Sequence, residues 1–149
     1  MAQGDATLFD DFVRRLALGE HDLLNDELRM ILIDDTTTAA ATDEEPNRDS
    51  YTQTTGDYNK ENGILVANKT VTESAGDVTF DFDPVTFRKG ANEPNDVYQL
   101  VLYNDSHPSR AAILFIDPTT DAGVTPYDLT ANSLTWTPNA SGVMTIEKG

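Results

Sequence analysis

The sequence predicts a mainly β protein: an antiparallel β-sandwich of jelly-roll type, with one short N-terminal amphipathic helix and a long polar loop. Three observations lead there. Short apolar runs recur at even intervals through residues 63–149, separated by turn residues such as Ser74-Ala-Gly-Asp77, Lys89-Gly-Ala-Asn92, Asp105-Ser-His-Pro108 and Pro138-Asn-Ala-Ser-Gly142. Val78, Phe80 and Phe82 alternate with Asp77, Thr79, Asp81 and Asp83, the pattern of a half-buried antiparallel strand. Two later runs, Tyr98-Gln-Leu-Val-Leu-Tyr103 and Ala111-Ala-Ile-Leu-Phe-Ile116, are apolar on both faces and read as central strands forming a hairpin.

The chain of 149 residues is sized for a single domain spanning 1–149, large enough to bury a core without covalent staples. Its first element is a helix. Leu8, Phe9, Phe12, Val13, Leu16 and Ala17 fall at the spacing that builds one apolar stripe. Thr7 stands where a cap is expected, with Asp10 three residues on. Asp10 and Asp11 suit the positive end of the helix dipole, and Gly19 suits the stop. The helix is expected over residues 8–18, within a segment 7–19. Its stripe is expected to pack on its own domain, with docking in a neighbour's groove as the alternative.

Leu28-Arg-Met-Ile-Leu-Ile33 reads as a core strand that joins the later body, and it ends in Asp34-Asp35 and a threonine cluster. Residues 36–62 carry almost no large aliphatic side chain and predict an extended polar loop or arm, a length that in a compact domain marks function or disorder. Tyr51 and Tyr58 are its only aromatic residues and are expected to anchor it, on this domain or on a neighbour. The body 63–149 then supplies strands at 64–72, 78–82, 85–87, 97–103, 111–116, 133–137 and 143–147. No repeat with a period of about 20–50 residues and no coiled-coil pattern is present.

Composition excludes whole classes of chemistry. Without cysteine there is no disulfide, thiolate nucleophile or thiolate-bound metal. Twenty-six acidic against ten basic residues give a net charge of −16, and the paired bases Arg14-Arg15 and Arg88-Lys89 sit among carboxylates, so nucleic acid is not an expected partner. The first residues lack a basic region followed by an apolar stretch, and no run approaches the roughly 18 apolar residues that span a bilayer, so neither secretion nor membrane contact is expected.

Neither a phosphate-binding glycine loop nor a Gly-x-Ser-x-Gly nucleophile turn occurs. His21 and His107 read as solvated loop histidines. Asp77, Asp81 and Asp83 should share one strand face; they read as a solvated face, with calcium as the sharper alternative, although the helix–loop–helix calcium pattern is incomplete after Asp81. Asn68-Lys-Thr70, Asn104-Asp-Ser106 and Asn139-Ala-Ser141 match the short glycosylation pattern without a secretion signal. Trp136, between threonines, is expected to bury its ring in the core. The reading is non-enzymatic, with no catalytic residue, cofactor or metal expected.

The segments "LALGEHDLLND", "ELRMILID", "TGDYNKENGILVANKTVT", "DVTFDFDPVTF", "DVYQLVLYND", "AAILFID" and "GVMTI", in this order, resemble the small virion structural proteins of tailed bacteriophages across nearly the whole chain. The resemblance implies a structural subunit with no catalytic residues to carry over. Within that group it points to a capsid cement or decoration protein, made in the host cytoplasm and bound to the outer capsid surface where subunits of the major capsid protein meet. Negative charge is tolerable there and costly against packaged DNA. It also implies self-association, with a trimer the form expected by analogy. A neck, tail or host-recognition component is the alternative, and the loop 117–128 with Tyr127 would then face a receptor. Leu8, Phe9, Phe12, Leu16, Tyr51 and Tyr58 are the residues expected to contact partners.

Overall fold

The computed structural model describes residues 4–59 and 63–149, and among these the chain is mainly β, with antiparallel sheets and a single short α-helix. Residues 60–62 of the expected polar loop, and residues 1–3, lie outside the described residues. The elements in chain order are β1 (Ala6–Leu8), α1 (Asp10–Ala17), β2 (Leu28–Ile33), a 3-10 turn (Arg48–Ser50), β3 (Ile64–Leu65), β4 (Thr70–Ser74), β5 (Asp77–Asp81), β6 (Val85–Phe87), β7 (Gln99–Asn104), β8 (Ala112–Ile116), β9 (Leu134–Trp136) and β10 (Met144–Ile146).

Five strands make the main sheet, in the order β1-β8-β7-β2-β3. Its three inner strands are the runs without polar alternation, and the side chains from Met30 to Ile33, Leu100 to Asn104 and Ala112 to Ile116 are buried, so both faces of this sheet are covered. Each such aliphatic side chain contributes about 1.5–3 kcal/mol when withdrawn from water. β7 and β8 form the expected hairpin, with a register shift between Leu102 and Tyr103. A second sheet runs β10-β5-β4, and β6 pairs with β9 alone. On β5 the expected alternation survives only at Phe80, which is buried, since Val78 and Thr79 are both half-buried; the hydrophobic cluster continues through Phe82, Val85, Phe87 and Trp136.

Two expected elements differ. The helix begins at Asp10, because Leu8 is a strand residue opposite Leu114 and Thr7 lies opposite Phe115. Phe9, extended at φ −73° and ψ 140°, is the N-cap and offers no side-chain bond; the Asp10 amide donates instead to the carbonyl of Ala41 in the polar loop, at 2.9 Å. The other end follows expectation. Gly19 (φ 75°) donates to the Leu16 carbonyl and Glu20 to that of Arg15, the paired bonds of a Schellman stop that needs a left-handed residue. The strand expected over 64–72 is two strands, broken where Asn68 turns to φ 54°, a conformation asparagine tolerates better than most residues. The break carries the chain from the edge of one sheet to the edge of another.

Candidate functional site

The helix stripe lies over the main sheet. Phe9 and Phe12 are fully buried, and Phe9 stacks with Tyr51 at 6.2 Å between ring centroids and meets Phe115 at 5.1 Å. Leu8 and Leu16 are half-buried against the same core, while Val13 and Leu18 are exposed. Tyr51 is buried and its hydroxyl donates to Asp43 at 2.6 Å; burial, then that carboxylate, push the phenol well above its ordinary pKa. Tyr58 sits edge-on to Phe87 at 5.2 Å and accepts from the Arg88 amide. Both tyrosines therefore hold the polar loop to this chain.

Backbone bonds hold the loop as well. Asn47 bridges Ala111 and Gln53 bridges Ile33; Ala112 donates to Pro46 at 2.8 Å; and Ala39 exchanges two bonds with the Gln99 amide. Asn47 caps the 3-10 turn in a reciprocal capping box with Ser50. The segment is a strap across β2, β7 and β8, stabilised by main-chain pairing more than by apolar burial.

Both histidines, expected to be solvated, lie in one cluster between the helix and the β7–β8 turn. His21 is buried, with its ring 5.2 Å from Phe12 and 5.5 Å from His107. The Asn104 amide nitrogen lies 3.0 Å from His21 Nδ1, so that nitrogen accepts and the proton sits on Nε2, which is buried without a partner. Burial, then the charges of His107 and Arg15, lower the His21 pKa to about 4. Asn104 also donates to Asp26 at 2.6 Å and accepts from the amides of Ser106 and His107. Arg15 bonds Asp11 and Glu20, and Glu20 lies 3.3 Å from His107 Nε2. Burial raises the Asp11 carboxyl, but the bonds from Arg15 and Arg14 outweigh that and hold it below the usual range.

This arrangement locks the segment after the helix to the β7–β8 turn. Among the described residues the acceptor of His21 is spent on Asn104, while the exposed Ser109 hydroxyl lies 3.0 Å from His107 Nδ1. Fixing Asn104 this way also leaves its side chain no room for a glycan, whereas Asn68 and Asn139 are exposed.

The carboxylates of the ladder are each taken up by a hydrogen bond within the chain. Asp77 accepts from the Lys148 amide, Asp81 from that of Phe82, and Asp83 from the Asn68 side chain. Among the described residues no group of three His, Asp or Glu side chains is placed to hold a metal ion. Nor is any helix among them long and apolar enough to cross a membrane.

The ring of Trp136 is buried and its Nε1 donates to the Gly4 carbonyl at 2.7 Å, at one side of an open cleft of about 700 Å³. The sequence reading missed both the cleft and the histidine cluster. A signal for the cluster was present in Asn104-Asp-Ser-His107, a turn whose asparagine directly follows a wholly apolar strand and must therefore find polar partners indoors.

No family model matches this chain, and neither the curated proteins nor the solved structures searched contain a match to it.

Proposed function

We propose that this chain is a non-enzymatic structural protein of a tailed-bacteriophage virion, a cement or decoration protein that stabilises junctions between subunits of the major capsid protein on the outer capsid surface. The observation that carries the reading is β4. It is the outermost strand of its sheet, and all five of its residues, Thr-Val-Thr-Glu-Ser, are exposed. A monomer ordinarily blunts such an edge with lysine, proline or a bulge, because its free N–H and C=O groups template another strand. β4 has one charge and no proline, which suits a body completed by neighbours. The sheets stack in this reading as a sandwich of jelly-roll type, with the strap making it rigid.

The mechanism is thermodynamic. A protein that binds the assembled shell and not its free subunits stabilises the shell by mass action, and several contacts per oligomer multiply the gain. Self-association, as a trimer on a local threefold position, follows from the resemblance. The net charge of −16 fits the outside of a DNA-filled container.

A neck, tail or host-recognition role is the second reading. It is favoured by the loop 117–128, where Val124 is 77% exposed. Quantitative mass spectrometry of separated head and tail fractions from purified particles tests both. A copy number comparable with the major capsid protein in heads supports the cement role. A few copies confined to the tail fraction favour the second reading, and absence from particles overturns both.

A further inference from the structure

The cleft beside Trp136 is walled by the edges of strands. A strand face contributes alternate residues to a surface, because side chains point to opposite sides with a period of two. This cleft takes consecutive residues instead: 4–6, 134–137 and 141–145. Those stretches hold the whole of β9, Met144 and Thr145 of β10, and Ala6 at the start of β1, and each of these is the outermost strand of its sheet. Residues of the outermost strands of three separate sheets thus meet at one cavity. The buried side chains of Leu100 and Ile116 contribute to its lining, and Asp5 is the one ionisable side chain among its described lining residues.

We propose that this cleft receives an extended, basic segment of a partner polypeptide, which pairs with the exposed edges as an added strand. Three facts select that occupant. Edge N–H and C=O groups are satisfied by another extended backbone, and no other ligand matches their repeat as well. The cavity, about 700 Å³ and open to solvent, has room for several residues of an extended chain. The charge of −16, with Asp5 at the cleft and no compensating cation among its described lining residues, attracts lysine and arginine. Identifying the partner as the capsid shell subunit rests on the reading proposed above; the cleft and its preference do not.

Trp136 is the only tryptophan, so the cleft carries its own reporter. The test is a fluorescence titration of the full chain with a synthetic peptide of about ten residues in which lysine alternates with threonine and valine, a length typical of longer strands. A saturable change in Trp136 emission is expected. The double variant Asp5→Lys with Thr145→Lys, both at exposed positions, should weaken it at least about tenfold by like-charge repulsion. Ser109→Lys, at the opposite end of the β7–β8 hairpin, should leave it unchanged, and unaltered melting of each variant verifies folding.

A peptide of the same charge with alternate prolines cannot pair as a strand and should not saturate. Equal binding of the proline peptide, indifference to the cleft lysines, or no saturable response each overturns the proposal. Absence of the chain from virus particles would sink the shell assignment while leaving this titration intact. A failed titration with the chain abundant on heads would sink the cleft alone.

Discussion

Replacing Phe9 separates the two roles that its position in the helix stripe allowed. Its ring is fully buried, packed between Tyr51 of the strap and Phe115 of β8, and its backbone is the N-cap of the helix. Phe9→Ala removes a ring's worth of transfer free energy and leaves a cavity that the strap and helix, both pinned by main-chain bonds, close only in part; a cost of about 3–5 kcal/mol follows. Phe9→Leu keeps most of the volume and loses chiefly the two aromatic contacts, each about 0.5–1.5 kcal/mol, for a total of about 1–3 kcal/mol. Against a stability of about 5–15 kcal/mol for a domain, the alanine variant should be marginal. Urea unfolding followed by Trp136 fluorescence measures both, with the slope expected to stay constant. A loss under about 1 kcal/mol for Phe9→Ala would refute the reasoning and restore Phe9 as a residue presented to partners.

Acid should act through His21. Its folded pKa of about 4 lies below the unfolded 6.5, so between those values the unfolded chain binds more protons; the stabilisation is full above about pH 6.5 and is lost as pH falls towards 4. Stability curves at pH 7 and 4.5 should show wild type losing about 2 kcal/mol more than His21→Gln, a value kept below the full linkage figure because the neighbouring charges are partly solvated, and equal losses would remove His21 from the account. Asn104→Ala deprives the Ser106 and His107 amides and His21 of a shared partner, and differential scanning calorimetry should register a loss of about 3 kcal/mol; a change within about 0.5 kcal/mol would show that water replaces the side chain freely. Ala75→Asn should stabilise the β4–β5 hairpin by about 0.5–1 kcal/mol, since Ala75 (φ 55°) and Gly76 (φ 94°) form a two-residue left-handed turn for which Asn-Gly is the preferred pair, and a lowered urea midpoint would contradict that assignment.

The strands that were legible in the sequence are those whose own residues decide them. Leu28–Ile33 and Val85–Phe87 stand where expected, because the apolar run and its polar or proline flanks set both ends. β1 was hidden, because Ala-Thr-Leu gains its strand conformation only from β8, far away in sequence, and Thr7 fits a helix cap equally well. The strap was legible as polar and long. Tyr51 and Tyr58 were legible as its anchors, but its backbone attachment was not, because bridges at Asn47 and Gln53 leave no side-chain signature. For the same reason the cleft escaped notice: strand edges are made of backbone, and which edges remain open is decided by the order of strands. His21 and His107 are ordinary loop histidines in sequence, and only the approach of the helix to the β7–β8 turn sets them together.

The pairing of Ala6 with Ile116 has a bearing on how the chain is made. The first strand leaves the ribosome long before its partner, so the helix that follows it has no sheet to lie on until most of the chain is synthesised. Until then Phe9 and Phe12 are exposed to solvent and to chaperones, and β2 waits for β7 in the same way. Closure of the main sheet is therefore a late, non-local event, the kind that folds slowly. A ribosome that has just added residue 116 still encloses β8 in its exit tunnel, so the five-stranded sheet closes only after further residues are added or the chain is released.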